Sequence, residues 1–458
     1  MLTLQQASQW LINAAPVGDM SVSVLRVVTD TRSLRAGDLF VALKGDIFDA
    51  HDFLLRARVL GAVAAIAEHG IAAAGLPGLE VADTRLALGE LAAGWRARFE
   101  VPLIAVTGSN GKTTVTQMIA CILRVWKHDK AFATEGNFNN DIGVPLTVLR
   151  LHAACRAAVI ELGMNHPGEI AELAKIAQPT VGLVNNAQRE HQEFMASVEA
   201  VAIENGAVIQ SLPSNGTAVF PADDPFASLW RGYAKETGRR KVVTFGLTDE
   251  ADVSCTWKAS GFGSEMSVRA RTVTFDVTLM AAGQHNVRNA LAAIACALAL
   301  GIKPAKIARG LAAFAPVNGR LQRKQAVNGA QVIDDSYNAN PDSVRAAIDV
   351  LAHADGPKVL VLGDMGEVGG DGRKYHEEVG AYARGRGIAR LLTLGDLAQS
   401  SGSAFGAHAN HFTDIAALLQ SLDTILTPDT TVLVKGSRFM QMERVVQHLT
   451  GQSQQDVY

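Results

Sequence analysis

Two periodicities alternate along the chain. Short, continuous apolar runs rich in β-branched residues, at 103–107, 157–160 and 181–184, predict strands buried on both faces. Between and after them lie stretches with apolar residues at helical spacing, as at 115–123 and 286–300. The alternation returns near the C-terminus, with strands at 331–333, 359–362, 391–394 and 432–434 and helices from about Asp342 and near 375–384. The first hundred residues read as short strands at 39–43 and 63–67 with alanine-rich helical stretches, closing in the amphipathic segment 86–99. Strands alternating with helices predict an α/β protein built on parallel sheets.

Two breaks divide this pattern. The first is Glu100-Val101-Pro102, where proline opens an apolar strand; the second is the Gly- and Pro-bearing segment that runs through Pro316. Three domains are therefore expected, at 1–100, 101–316 and 317–458, which agrees with a length of 458 residues.

Composition narrows the class. A hydrophobic fraction of 48% beside 19% charged residues suits a globular enzyme with several cores. The net charge of −3, from 42 basic and 45 acidic residues, argues against a nucleic-acid partner. Cys121, Cys155, Cys255 and Cys296 are scattered without a C-x-x-C pair, which argues against a disulfide framework or a zinc site. The first residues lack a basic n-region and a sustained apolar core, and the longest apolar run, 290–300, is far short of the roughly 20 residues a span needs. A cytoplasmic, monomeric protein with no membrane span is expected.

The densest chemistry is the run PLIAVTGSNGKTTVT at 102–116. It reads as strand, glycine turn and helix start, the arrangement of a P-loop-type phosphate cradle. Gly108, Ser109, Asn110 and Gly111 let backbone N–H groups approach a polyphosphate, and the helix N-terminus adds partial positive charge. Lys112 can reach the terminal phosphates, and the hydroxyl of Thr113 or Thr114 is placed to ligate a phosphate-bound magnesium. The spacing departs from G-x-x-x-x-G-K-[ST], because Val106 stands where the usual first glycine would be. ATP and Mg²⁺ are the expected ligands.

Other polar clusters follow apolar runs. Glu161 ends one strand, where open α/β sheets gather ligands, and His191 follows the next. In GQHNVRNALAA, Asn286 and Asn289 share a helix face with His285 close by; they suit either a base edge or helix capping. DDSYNANPDS, GDMGEVG and KGSRFMQME place Asp335, Asn338, Asn340, Asp364, Lys435 and Arg438 just beyond strands of the last block.

Taken together, TGSNGKTT, GNFNNDIGVPLT, ELGMNHPGEI, GQHNVRNALAA, DDSYNANPDSVRAA and KGSRFMQME resemble the Mur ligase family over nearly the whole chain. The resemblance implies three α/β domains: an N-terminal UDP-sugar domain, a central ATPase domain and a Rossmann-like C-terminal domain. It also implies an ATP-dependent amide ligase working through an acyl phosphate. DDSYNANPDS and KGSRFMQME point to the branch whose substrates are UDP-N-acetylmuramoyl-tripeptide and D-alanyl-D-alanine. Carried over residue by residue, the resemblance gives Lys112 the β/γ-phosphates, Thr113 the first magnesium, and Glu161 and His191 the second. Asn286 and Asn289 fall at the adenine side, with Arg320 and Asp335 at phosphate and ribose. Thr29, Asp30, Thr31 and Arg32 match a uridine-side turn. Asn137, Asn139 and Asn140 match central substrate contacts, and Asn338, Asn340, Lys435 and Arg438 are candidates for the dipeptide.

Two departures stand out. Asn205 occupies the position of a family lysine that is carbamylated near the second magnesium, so that feature does not carry over and a weaker second metal or a substitute group is expected. Asp49-Ala50-His51 stands where the family often has D-G-H. A different Mur ligase, or an ATPase coupled to transport or movement, would share the cradle; the ATPase would hydrolyse ATP without either co-substrate.

Overall fold

A computed structural model describes residues 1–45, 47–190 and 192–452 of the chain; His191, an expected metal ligand, lies outside them. The apolar runs assemble into three principal sheets in chain order. The first has five strands, spatially Ala15–Val17, Gly78–Glu80, Ala62–Ala67, Asp38–Val41 and Arg26–Val28. All its pairings are parallel except that of the edge strand Ala15–Val17.

The second sheet carries the cradle. Leu103–Thr107, buried at every residue, pairs in parallel with Ala157–Glu161 on one side and Val181–Val184 on the other. The strand order reverses around it, so a crevice opens at the carboxyl ends of these strands. The following helix runs from Lys112 to Lys127, three residues earlier than its apolar period suggests. Gly111, in the left-handed region at φ +82°, makes the turn that brings Lys112 into the first helical turn.

Sequence reading expected parallel sheets, and the far edge of this sheet corrects that. Val253–Ser260, Gly263–Ala270 and Val273–Leu279 form an antiparallel meander that extends the sheet to nine strands. Alternate residues of Gly263–Ala270 are buried and exposed over much of its length, the signature of a strand with one wet face.

The seam between the first two sheets is a packed core. Helix Thr84–Arg96 packs on Gly143–Leu149 and Glu169–Ala177, and one apolar cluster runs from Leu4 and Leu88 through Val148 to Trp230. Trp95 donates its indole N–H to Leu151 O at 2.9 Å. Arg96, 4% exposed, donates to the carbonyls of Ala177, Phe99, Val101 and Gln178, so its buried charge is held by carbonyl dipoles.

The third sheet has six strands, with Gln331–Asp335, Thr431–Lys435, Lys358–Gly363, Arg390–Leu394 and Ala409–Phe412 parallel and Gln322–Gln325 antiparallel at one edge. Separate apolar clusters cover its two faces. Among the described residues no helix is long and apolar enough to cross a membrane.

Candidate active site

One cleft of about 1450 Å³ is walled by all three parts of the chain: helix Thr84–Arg96, the cradle with the strand ends beside it, and the loops after Gln331–Asp335 and Thr431–Lys435. Its floor is built by glycine. At Gly108 (φ +130°) a Cβ would sit 3.0 Å from the backbone nitrogens of Asn185 and Asn186. At Gly111 it would collide with the Asn289 amide oxygen. No side chain caps the Lys112–Lys127 helix, and its first turn lines the cleft. That end favours an anion through its unpaired N–H groups and the helix dipole.

Lys112 has three N–H donors, all with acceptors: Gly108 O at 2.7 Å, Ser109 O at 3.3 Å and Glu190 Oε1 at 2.8 Å. Asparagines fix the cradle's shape. Asn185 donates to Asn110 O (2.7 Å) and to Asn289 Oδ1 (3.0 Å), and Asn186 accepts from the Asn110 backbone N–H (2.9 Å). Asn289 in turn donates to Asn286, which donates to Ala282 O. Both helix asparagines line the cleft, and neither caps its helix, whose N-cap is Gly283. Asn185 and Asn186 were missed from sequence, although they directly follow a predicted strand in the way that singled out Glu161.

Glu161 is buried at its strand end. Its Oε1 accepts from Thr113 Oγ1 (3.2 Å) and Asn139 Nδ2 (2.8 Å). Thr113 and Glu161 therefore bring two hard oxygen donors together beside the helix N-terminus, a set that fits Mg²⁺ shared with phosphate oxygens and water. Among the described residues no group of three or more His, Cys, Asp or Glu forms a metal cage. Asn205 is fully buried behind the cradle, accepting from Thr107 Oγ1 at 2.6 Å, with no partner at its Nδ2. Its neighbour Glu204 accepts from Gly168 and Ile170 N–H and caps the helix Glu169–Ala177.

The C-terminal wall rearranges several expectations. Asp335 and Lys435 are direct partners across adjacent parallel strands, with Nζ 2.6 Å from Asp335 Oδ2. Asp335 also accepts from Leu321 N, while Lys435 also donates to Asn338 O; both line the cleft with each other as first partner. Burial pushes the Asp335 carboxyl above the usual carboxylate range, against the pull of Lys435 and Arg320. Asn340 caps helix Pro341–Ala352 and donates to Asn110 Oδ1 at 2.9 Å, joining this block to the cradle. Arg320 lies 4.2 Å and Arg438 5.8 Å from the ring centre of Tyr337, a residue the sequence reading did not single out. His285, also in the wall, is held down to about 4 by burial and by the nearby Lys435 charge.

Asn137, Asn139 and Asn140 line the cleft, with Asn140 accepting from Gly143 N. Thr29, Asp30, Thr31 and Arg32 do not: Arg32 forks back onto Asp30, and the part of the first block facing the cleft is the helix bearing Arg85 and Glu90.

The family model for the Mur ligase middle domain matches residues 106–297, and the one for the Mur ligase glutamate ligase domain matches 319–438. The UDP-N-acetylmuramoyl-tripeptide–D-alanyl-D-alanine ligase of Escherichia coli is 41% identical over 98% of each chain. The chain is a Mur ligase. Among other Mur ligases, the Bacillus subtilis protein of the same name is 34% identical over 92% of each chain. In solved structures, MurF from Acinetobacter baumannii superposes with a TM-score of 0.91 at 34% identity over 98% of both chains. MurF from Thermotoga maritima, solved with ADP, gives 0.83 at 27% identity, covering 95% of this chain and 99% of that one. The three-domain Mur ligase architecture expected from sequence is the one these neighbours share.

Proposed function

We propose that this Mur ligase joins D-alanyl-D-alanine to UDP-N-acetylmuramoyl-tripeptide at the cost of one ATP, giving the pentapeptide precursor of peptidoglycan. The observation that carries the reading is the phosphate cradle opening into a cleft that all three blocks line. Similarity to ligases of that name over the full length supports the substrate pair. Domains at 1–100, 101–316 and 317–458, a monomeric state, a cytoplasmic location and Mg²⁺ belong to the same proposal.

In this reading Lys112 exchanges Glu190 for the β/γ-phosphate oxygens, and the first-turn N–H groups take the rest of the polyphosphate. Thr113 and Glu161 would hold Mg²⁺, which neutralises phosphate charge and orients the γ-phosphate when bound. Asn286 and Asn289 face the adenine side, and Arg320 and Asp335 the phosphate and ribose. The tripeptide carboxylate attacks the γ-phosphorus and ADP departs. The amine of the dipeptide then attacks the acyl carbon, loses a proton and expels phosphate. Asn137, Asn139 and Asn140 border the first substrate, and Arg438, 56% exposed in its side chain, is the best-placed of the C-terminal candidates for the dipeptide carboxylate. Neither step needs a protein nucleophile; positioning and charge neutralisation carry the rate.

The test is phosphate release with each substrate omitted in turn. Release that requires ATP, UDP-tripeptide and dipeptide together supports the ligase, whereas brisk hydrolysis of ATP alone supports a coupled ATPase. Lys112→Ala should lower the full reaction by about 10²–10³-fold, the scale of a lost transition-state charge contact.

A further inference from the structure

The segment 188–190, directly after the strand Val181–Val184 and its two asparagines, faces two ways. Toward the cradle, Gln188 exchanges hydrogen bonds with Ser109 and accepts one from the Asn110 side chain, and Glu190 pairs with Lys112. Toward the C-terminal block, Arg189 lies between two carboxylates: Nη2 is 2.6 Å from Asp342 Oδ1, and Nη1 is 2.7 Å from Glu378 Oε2. Its backbone N–H also donates to Asp342 at 3.0 Å, and its guanidinium lies 5.2 Å from the Tyr375 ring centre. Arg345 holds Glu378 from the far side at 2.8 Å.

These contacts converge on one helix end. Asp342 sits in the first turn of Pro341–Ala352, and Asn340, its N-cap, bonds Asn110 of the cradle. Among the described residues the C-terminal block is thus tied to the cradle region by a neutral amide pair and, beside it, an ion-pair network, with Glu193 N donating to Glu367 O at 3.3 Å as a further contact. The network side chains are 22–29% exposed, apart from Arg345 at 42%, so water weakens the pairing without removing it. Arg189 holds the Glu378 carboxyl down to about 2, the mark of a carboxylate committed to its partner.

We propose that Arg189 is a positioning residue that seats the C-terminal block over the cradle, so that the incoming amine, and not water, meets the activated carbonyl. This rests on the ligase reading above. An acyl phosphate has two fates. Amine attack gives one amide and one phosphate, while water attack returns the carboxylate and also gives one phosphate. A loosely seated C-terminal block admits water and delivers the amine poorly, so the ratio of phosphate released to amide formed reports the seat directly. A loss of folded protein lowers both products together and leaves the ratio at one.

The experiment measures that ratio in the full-length wild type, Arg189→Ala and Glu378→Gln, with thermal unfolding recorded for each. We expect about one phosphate per amide in the wild type. For Arg189→Ala we expect a ratio of several, with amide formation slowed by about 10–10²-fold, the scale set by small misplacements in a site. Glu378→Gln, outside the cleft wall, should shift the ratio in the same direction by less. It decides the question by itself if Arg189→Ala does not fold. Ratios of one in the folded variants, with amide rates within threefold of wild type, overturn the proposal. A wild type that makes no amide tells against the ligase reading instead. The seat is then judged by small-angle scattering, where an Arg189→Ala radius of gyration equal to wild type overturns it and a larger one supports it.

Discussion

Gly111→Ala isolates the close approach on which the cradle depends. At φ +82° a side chain costs about 1–2 kcal/mol in backbone strain alone. The new Cβ would also meet the Asn289 amide oxygen and lie 2.8 Å from Asn185 Nδ2, the two groups hydrogen-bonded to each other at 3.0 Å. Forcing them apart leaves buried polar atoms unpaired, at about 1–3 kcal/mol. The total is about 2–5 kcal/mol, against about 1–2 kcal/mol for Gly238→Ala, which shares the left-handed backbone (φ +70°) but has open space at its Cβ. Titration calorimetry with ADP is the assay. Gly111→Ala should weaken ADP at least tenfold, equivalent to about 1.4 kcal/mol, with the remainder appearing as lost thermal stability. Gly238→Ala should bind ADP as the wild type does. ADP affinity within twofold of wild type in Gly111→Ala, with matching unfolding curves, would refute the account of the cradle floor.

Two further outcomes follow from packing and protonation. His285 titrates at about 4 in the folded protein and at 6.5 in the unfolded chain, so between those values the unfolded state binds more protons and stability rises with pH. Denaturant unfolding should gain up to about 3 kcal/mol from pH 4 to 6.5 through this group, and His285→Gln should flatten that part of the slope. Trp230, fully buried against Phe220 and Phe226 with its N–H on Ala202 O, should cost about 3–5 kcal/mol when replaced by alanine, as measured by urea unfolding.

Local pattern carried much of this site. A strand, a glycine turn and a lysine adjoin in sequence, so the cradle at 108–114 was legible, and Glu161 followed from its place at a strand end. The antiparallel meander was legible too, since 263–270 alternates in the sequence, but strand–helix alternation elsewhere set the expectation. Partnership across the fold was not legible. Asp335 and Lys435 read as holding different ligands, yet strand register makes them a pair. Arg189 gave no local signal, because its partners lie 153 and 189 residues away and become neighbours only when the third sheet is seated.

The acyl phosphate is the centre of the account, and oxygen labelling tests it most directly. UDP-N-acetylmuramoyl-tripeptide carrying ¹⁸O in both oxygens of its reacting carboxylate is turned over with ATP and D-alanyl-D-alanine, and the released phosphate is analysed by mass spectrometry. Attack of the carboxylate on the γ-phosphorus followed by amine displacement leaves one ¹⁸O in each phosphate and one in the new amide. Unlabelled phosphate, with amide still formed, would contradict the account.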